Sequence, residues 1–260
     1  MIIAPPGWTK ISVESDPTAK VQAVCKDSKG RLQYIYHPIW TAIGRHLKSH
    51  TLKEFIRKAG RLRTPDDPAS WVLRIMLDTN IRIGSKKYTE DNGSYGITTL
   101  LCNHVHRKKD SSLVLSFLGK SGVAWETVVP AGPTANYIML TKRSKKPNDV
   151  LFDVSADVVR RKFKQVFGQS LSPKILRTYS ANKILFHNLK RESKKIPTDT
   201  EPLSKIVSIK NLCIKQTAIK LNHSPSICKN DYICHEILDR FSESPRTFHN
   251  LDFAKFFRNI

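Results

Sequence analysis

A helix break separates two reactive side chains near the end of the sequence. His223 lies nine residues before Tyr232 in the stretch Leu-Asn-His-Ser-Pro-Ser-Ile-Cys-Lys-Asn-Asp-Tyr, residues 221–232. At 100° per residue this spacing is half a turn out of phase, so on one straight helix the two side chains would face opposite sides. Ser224 followed by Pro225 is typical of an N-cap and the first position of a new helix. The break therefore predicts that His223 and Tyr232 converge.

The chain carries an excess of positive charge along its whole length. Its 260 residues contain 44 Lys and Arg against 22 Asp and Glu, and residues 1–63 hold 12 basic and 4 acidic side chains. Such a field attracts polyanions and favours a nucleic-acid partner, although a ribosomal protein, a nuclease or a membrane-surface protein would share it. A phenol nucleophile beside a histidine in such a chain indicates attack on a phosphodiester.

The sequence gives little support for a membrane protein, a disulfide-stabilised protein or a metal-binding protein. No apolar run approaches the ~20 residues of a membrane span, and the start, Met-Ile-Ile-Ala-Pro-Pro, lacks the charge and apolar stretch of a signal peptide. We therefore expect a soluble intracellular protein. The five cysteines never form Cys-x-x-Cys, which predicts reduced thiols. Cys102, His104 and His106 alternate, but three ligands along one strand edge rarely complete a tetrahedron, so no metal site is predicted.

The N-terminal quarter is predicted to be rich in β structure. Strands are expected at residues 8–13, 21–25 and 31–36, with a turn at 27–30 between the last two. A helix is expected from about Thr41 to Gly60, and residues 61–68 resemble a linker. These patterns predict a β-rich domain over residues 1–63 and a second domain over 64–260, long enough to bury a core of its own.

The second part is predicted to be mainly helical, so the fold class is α+β. Helices are expected to begin at Asp67-Pro68, at Ser155 and at Ser172-Pro173, with further helices over residues 206–221 and 233–241 and a terminal helix or arm over residues 248–257. Strands are expected over residues 98–105, 113–118 and 123–129. The first of these helices carries an apolar stripe, Val72, Ile75, Met76, Thr79 and Ile83, and Arg82 lies near its end. An ion pair with Asp78 on the helix surface is one interpretation of Arg82.

Lys120 is predicted to lie at the tip of a hairpin. The two apolar strands at 113–118 and 123–129 are joined by Gly119-Lys-Ser-Gly122, which is a turn sequence. Gly-Lys-Ser also occurs in phosphate-binding P-loops, but the glycine required five residues before Gly119 is replaced by Val114. No nucleotide cofactor is therefore predicted. The charged run 141–148 is interpreted as a loop.

These candidates together resemble the active site of the type IB DNA topoisomerases, especially their small viral and bacterial branch. The five side chains that match are Arg82, Lys120, Arg177, His223 and Tyr232. The matching text includes Pro-Pro-Gly-Trp-Thr at 5–9, Asp-Ser-Lys-Gly-Arg-Leu-Gln-Tyr-Ile-Tyr-His-Pro at 27–38, Ile-Arg-Ile-Gly at 81–84, Tyr88, Phe-Leu-Gly-Lys at 117–120, Lys-Ile-Leu-Arg-Thr-Tyr at 174–179 and the stretch 221–232. The resemblance extends over essentially the whole chain.

The resemblance implies a role for each of the five. Tyr232 would attack a DNA phosphodiester and form a 3′-phosphotyrosyl link that frees a 5′-hydroxyl. Arg82, Arg177 and His223 would stabilise the charge on the pentavalent phosphorus, and Lys120 would be the general acid for the leaving oxygen. Because the covalent link conserves the bond energy, religation would need neither ATP nor a metal, so no cofactor is expected.

The resemblance also implies DNA contacts and an architecture. Gln33, Tyr34, Tyr36, Tyr88 and Lys174 are expected to bind DNA around the cleavage site. The expected fold is a small β-rich domain and a mainly helical catalytic domain of the tyrosine recombinase and type IB topoisomerase fold, which form a C-shaped clamp on duplex DNA. We expect a monomer whose partner is double-stranded DNA, in the cytoplasm or nucleoid of a bacterium or in a virion or host compartment.

Two departures from the family and two alternatives remain at this point. Only four residues precede Pro-Pro-x-Trp, so either the N-terminal sheet is incomplete or the start is internal, and Ser85 stands where poxvirus members carry a DNA-contacting lysine. The nearest alternative is a tyrosine site-specific recombinase, which shares the catalytic set. Recombinases normally place the second arginine in His-x-x-Arg, whereas this chain has Lys174-Ile-Leu-Arg177. The other alternative is a basic DNA-binding protein without catalysis.

Overall fold

The computed structural model describes residues 3–28, 30–197 and 201–259. The chain divides into two compact units, Met1–His50 and Thr51–Ile260. The helix α1, Pro38–Lys58, contains this division. The domain boundary near residue 64 stays a prediction. Part of the predicted turn at 27–30, residue 29, lies outside the described residues.

The first unit contains a three-stranded antiparallel sheet. Its strands β1 (Thr9–Val13), β2 (Val21–Lys26) and β3 (Leu32–Tyr36) lie in the order β1-β2-β3. The central strand β2 buries Ala23 and Cys25, whereas all five residues of β1 are exposed. The three predicted N-terminal strands are therefore confirmed to within one residue at each end.

The second unit contains one small antiparallel sheet with the lysine hairpin at one edge. Its strands β4 (Val105–Arg107), β5 (Leu113–Leu118) and β6 (Ala124–Val129) lie in the order β4-β5-β6. The ladder between β5 and β6 ends at the pair Leu118 and Ala124, next to the turn. The two small antiparallel sheets together with the helices that follow confirm the α+β fold class.

Helices form the rest of the second unit. They are α2 (Pro68–Thr79), α3 (Lys86–Asn92), α4 (Pro133–Lys142), α5 (Ala156–Phe167), α6 (Lys174–Ser193), α7 (Leu203–Lys220), α8 (Pro225–Ile227), α9 (His235–Glu243) and α10 (Phe253–Asn259). Asp67 caps α2 by accepting a hydrogen bond from the Ser70 N–H at 2.9 Å, and Ser155 caps α5 in the same way. Both helix starts confirm the sequence prediction.

An aromatic cluster holds α6 in place. Phe186 lies in the middle of α6, is fully buried, and packs against Phe248, Phe253 and Phe256 with ring centroids 4.9, 5.4 and 5.7 Å away. Burying one such side chain contributes about 1.5–3 kcal/mol. Because α6 also carries Lys174 and Arg177, this packing fixes the helix on which part of the candidate site is built.

Several predicted elements differ from the structure. Residues 98–105 are not a strand, because 3₁₀ turns at Ile97–Thr99 and Cys102–His104 precede β4. The short helices α3 and α4 have no strong apolar stripe and were not predicted, and α4 takes up the first two residues of the predicted loop at 141–148. Helix α2 ends before Ile83. Ile233 is extended and Cys234 precedes α9, so the helix predicted over residues 233–241 begins two residues late.

Two further features are the state of the cysteines and the character of the helices. All five cysteines lie within the described residues, where they are buried and form no disulfide. Among the helices that the structure describes, none is both long enough and apolar enough to cross a membrane.

Candidate active site

An open cleft of about 690 Å³ in the second unit contains six of the predicted site residues. They are Arg82, Lys120, Lys174, Arg177, His223 and Tyr232. These residues come from the segment after α2, the β5–β6 turn, the first turn of α6 and the region around α8. Side chains separated by up to 150 positions in the sequence therefore lie around one cavity.

Arg177 is the most buried charged residue of the cleft, at 3% exposure. Its Nη1 donates a hydrogen bond to the Asn80 carbonyl and its Nη2 donates to the Leu221 carbonyl at 2.7 Å. Asn80 and Leu221 are the C-caps of α2 and α7, where helices present carbonyls with partial negative charge. The guanidinium also lies over the rings of Trp125 at 5.3 Å and Tyr232 at 5.7 Å. Its Nε lacks a partner among the described residues.

His223 and Tyr232 stack on each other. Their ring centroids are 4.7 Å apart at an interplanar angle of 25°, and Tyr232 is 6% exposed. Ser224 accepts a hydrogen bond from the Ile227 N–H and Pro225 begins α8, so the predicted break between them is confirmed. A π-helical turn, Cys228–Tyr232, follows α8 and presents the tyrosine at its end. The two side chains that one straight helix would separate therefore meet.

The backbone around Tyr232 is attached to α6 through a buried asparagine. Asn182 is fully buried and its Nδ2 donates to the Tyr232 carbonyl at 2.8 Å. Its Oδ1 accepts a hydrogen bond from the Cys234 N–H at 2.8 Å. Burying an amide side chain without partners would be unfavourable, but both of its ends are satisfied here. The residue therefore fixes the tyrosine relative to the helix that carries Arg177.

The Arg82 segment is fixed by a close approach of two glycines. The Arg82 carbonyl accepts a hydrogen bond from the Ile97 N–H at 2.8 Å. The two backbone segments pack so tightly here that a Cβ added to Gly96 would lie 2.4 Å from both N and Cα of Gly84. Gly84 also has a φ of 86°. Asp78 pairs with Arg74 at 2.8 Å and not with Arg82, so the surface-pair reading of Arg82 is wrong.

Lys120 is exposed at the tip of the β5–β6 hairpin. The turn is closed by a hydrogen bond from the Gly119 N–H to the Val123 carbonyl at 2.8 Å, and Ser121 adopts a left-handed φ of 67°. This arrangement confirms the predicted position of Lys120. Lys174 on α6 faces the same cleft, with its Nζ 5.4 Å from the centre of the Tyr232 ring.

The concentration of cations alters the pKa values in the cleft. Burial lowers the pKa of His223 to about 3, and the charges of Arg177, Arg82, Lys120 and Lys174 act in the same direction. Burial likewise lowers the pKa of Arg177 to about 10, with the neighbouring Arg82 as the next cause. The cleft is therefore a cationic site with a neutral imidazole, which suits an anion that carries several oxygens.

The other predicted DNA contacts are not among the residues that line this cleft. Tyr88 is 63% exposed on α3 in the second unit. Gln33, Tyr34 and Tyr36 lie on β3 in the first unit, where the Gln33 amide donates to Asp27 at 3.0 Å. The Tyr34 and Tyr36 rings are about half exposed and lie 6.5 Å apart. Across the described ranges there is no cluster of three or more His, Cys, Asp or Glu side chains arranged to hold a metal ion.

Comparison with known families gives a match over most of the chain. Residues 45–249 match the family model described as "Eukaryotic DNA topoisomerase I, catalytic core". The chain belongs to this topoisomerase family. The match includes Arg82, Lys120, Arg177, His223 and Tyr232, and therefore all of the residues predicted to be catalytic.

Viral members of the family are similar to the chain over nearly its whole length. The DNA topoisomerase 1B of Acanthamoeba polyphaga mimivirus is 27% identical over 269 residues, which cover 94% of this chain and 79% of that protein. The DNA topoisomerase 1B of vaccinia virus (strain Copenhagen) is 27% identical over 235 residues, covering 83% and 71%. The DNA topoisomerase 1 of rabbit fibroma virus (strain Kasza) is 28% identical over 249 residues, covering 90% and 77%.

Several residues that shape the site of this family member were not predicted from its sequence. They are Trp125 under Arg177, Asn182 behind Tyr232, Asn222 before His223, and Asp231, the one acidic side chain in the described lining of the cleft. An asparagine between the apolar residues of a buried helix face, with only Thr178 as another polar side chain on that face within one turn, was the available signal for Asn182. Trp125 follows the period of an ordinary buried strand, so its sequence carried no sign of a contact with an arginine.

Proposed function

We propose that the chain is a type IB DNA topoisomerase, an isomerase that relaxes supercoiled double-stranded DNA. The observation that carries this proposal is the convergence of four cationic or imidazole side chains, Arg82, Lys120, Arg177 and His223, around the Tyr232 phenol in one cleft. Membership of the DNA topoisomerase I family and similarity to viral proteins named DNA topoisomerase 1B support it.

In the proposed reaction the Tyr232 oxygen attacks a backbone phosphorus of one strand. As the phenol loses its proton to water, a bond forms between the tyrosine oxygen and phosphorus, and the bond from phosphorus to the 5′-oxygen of the next nucleotide breaks. The product is a 3′-phosphotyrosine and a 5′-hydroxyl. The number of phosphoester bonds is unchanged, so the reverse reaction reseals the strand without ATP. While the strand is open, its free end rotates and the linking number changes.

Arg82, Arg177 and His223 are proposed to stabilise the extra negative charge of the phosphorane. Arginine can offer two parallel N–H donors to two phosphate oxygens. Arg177 is already oriented by the carbonyls of Asn80 and Leu221 and by the Trp125 ring, so little reorganisation is required when charge develops. The buried Arg177 Nε has no partner in the described residues and can serve as a further donor.

Lys120 is proposed to donate the proton that the leaving 5′-oxygen acquires. An alkoxide is a poor leaving group at neutral pH, so protonation during bond breaking is needed for a fast reaction. Lys120 is suited to this role because it is exposed at the tip of a hairpin beside the cleft, where it can reach a bound strand. Religation would return the proton to Lys120.

DNA binding is proposed to use the general charge of the chain and a few specific contacts. The excess of 22 positive charges favours the phosphate backbone. Lys174, Tyr88, Gln33, Tyr34 and Tyr36 are proposed to contact DNA near the cleavage site. The similar proteins described above are named topoisomerases, which favours this function over a site-specific recombinase.

The test is relaxation of negatively supercoiled plasmid in EDTA without ATP. We expect a ladder of topoisomers that ends in a fully relaxed circle. Tyr232→Phe should bind the plasmid but give neither relaxation nor a covalent adduct. Tyr137→Phe is the matched control, because it also loses one phenolic oxygen while keeping its ring stacked on Trp71 at 4.5 Å, outside the cleft. It should relax DNA normally.

Two results would overturn the proposal. An adduct that persists in Tyr232→Phe would remove Tyr232 as the nucleophile. A wild-type protein that forms the adduct but joins two specific DNA sites instead of changing the linking number would be a recombinase.

A further inference from the structure

Three consecutive residues at the end of α7 contact three different parts of the site. The Leu221 carbonyl accepts a hydrogen bond from Arg177, and the His223 ring stacks on Tyr232. Between them, the Asn222 Nδ2 donates to the Ala124 carbonyl at 2.7 Å. The first two contacts join groups already assigned to the chemistry. The Asn222 contact joins the loop to the hairpin that carries the lysine.

Ala124 lies at the base of that hairpin. It is the first residue of β6 and pairs with Leu118, the last residue of β5. Because the Val123 carbonyl accepts from the Gly119 N–H and successive carbonyls of a strand alternate in direction, the Ala124 carbonyl faces away from β5. β6 is an edge strand of its sheet, so this carbonyl has no strand partner. Asn222 satisfies it four residues from Lys120.

Asn222 itself occupies a position where glycine is usually preferred. Its φ is 52°, and the hydrogen bonds from its N–H to the Ile219 carbonyl and from the His223 N–H to the Ala218 carbonyl form a Schellman motif at the end of α7. Asparagine tolerates this left-handed conformation less readily than glycine. The backbone alone therefore does not explain the asparagine, whereas its amide is used to hold the hairpin.

We propose that Asn222 is a positioning residue for Lys120. Its amide ties the base of the β5–β6 hairpin to the loop that carries His223, and so fixes where the Lys120 ammonium meets the 5′-oxygen while Tyr232 bonds to phosphorus. Asn222 exchanges no proton and contacts no reacting atom. This inference rests on the proposed function, because it assigns a support to the general acid of that reaction.

The test compares two DNA substrates cleaved by Asn222→Gly in single turnover. Glycine keeps the left-handed backbone and removes only the amide. On ordinary DNA we expect cleavage to be about 3- to 10-fold slower, the effect of losing one hydrogen bond. On DNA with a sulfur in place of the bridging 5′-oxygen, the leaving thiolate needs no proton, so the rate should return to that of the wild-type protein. Lys120→Ala is measured in parallel and should show a larger loss with the same rescue.

Ser111→Gly is the matched control. Ser111 has a φ of 63° and makes one exposed side-chain hydrogen bond with Arg107, at the other turn of the same sheet. It should cleave both substrates at the wild-type rate. Asn222→Asp provides a second variant that tolerates the same backbone but presents a carboxylate to the Ala124 carbonyl, and it should show the same substrate pattern as Asn222→Gly.

The outcomes separate this inference from the proposed function. If Asn222→Gly is slowed equally on both substrates, Asn222 acts through His223 or Tyr232, and the inference is wrong even when Lys120→Ala is rescued. If Asn222→Gly is not slowed on ordinary DNA, the contact has no role in positioning. If Lys120→Ala is not rescued by the sulfur substrate, the general-acid role of Lys120 is wrong. The inference about Asn222 is then wrong as well, because it depends on that role.

Discussion

Acidification of the DNA-free protein should leave His223 uncharged. Its pKa is lowered to about 3 by burial in the cleft and by four neighbouring cations, of which Arg177 is the strongest. The Arg177 Nη2 lies 2.6 Å from the His223 Nε2, so in this state that nitrogen accepts the hydrogen bond and the proton of the neutral ring is on Nδ1. A charged imidazole would place two cationic groups in contact.

The size of the expected effect follows from the pKa. At pH 5 a group with a pKa of about 3 is about 1% protonated, whereas an ordinary histidine with a pKa of about 6.5 is about 97% protonated. We would label histidine with ¹³C and ¹⁵N and record ring resonances of the free protein from pH 8 to pH 5, assigning His223 by its loss in His223→Gln. The His223 signals should stay those of the neutral Nδ1–H tautomer throughout.

The same pKa also predicts a direction for stability. Because the folded pKa lies below the unfolded value, the unfolded state takes up a proton as the pH falls below about 6.5, and His223 therefore lowers stability progressively down to about pH 3. His223→Gln should show a shallower loss of stability in acid. A His223 resonance that titrates with a midpoint between 6 and 7 would refute the reasoning, because burial and the cations would then have no net effect on the ring.

Three further predictions concern folding and binding. Gly96→Ala should lower the free energy of unfolding by about 1–3 kcal/mol and slow cleavage, because the added Cβ would meet the Gly84 backbone. Gly60→Ala is the control: a Cβ added there meets no atom within 4 Å, so this variant should melt and cleave like the wild type. Asp67→Ala removes the cap of α2 and should cost about 1 kcal/mol in urea unfolding; an unchanged midpoint would contradict the cap. Affinity for plasmid DNA should fall at least about 100-fold between 50 and 200 mM salt in a filter-binding assay, and a flat dependence would contradict binding through phosphates.

Local elements were predicted correctly where a residue type has one common structural role, such as capping or starting a helix. Asp67 and Ser155 were recognisable caps, and Ser224-Pro225 marked the break that lets His223 stack on Tyr232. The strand predicted over residues 98–105 was wrong because hydrogen bonds with distant residues, such as that from the Cys102 N–H to the Asp149 carbonyl, hold this segment in 3₁₀ turns. Apolar spacing along the chain contains no information about such partners.

The candidate site was predictable only in the groups proposed to react. Tyr232, Arg82 and Lys120 were predicted from the family motifs that they match, and the structure places all three around one cleft. The residues that hold these groups in place could not be identified in this way. Asn222 and Trp125 act through contacts with residues at least 50 positions away, and nothing in their own neighbourhoods distinguishes them from a helix end and a buried strand residue. The π-helical turn before Tyr232 likewise has no signature in sequence period.

Arg177 joins the C-terminal carbonyls of α2 and α7 in addition to its proposed part in catalysis, so a structural and a catalytic constraint would both act on one side chain. A descendant that no longer cleaved DNA would still need this arginine to keep its helices together, and lysine could not replace a group that uses two nitrogens at once. Lys120 is exposed at the hairpin tip, so the fold would place little constraint on this residue if activity were lost. In a distant homologue, an arginine at this position would therefore indicate a shared fold, and a lysine at the hairpin tip would be the better marker of retained activity.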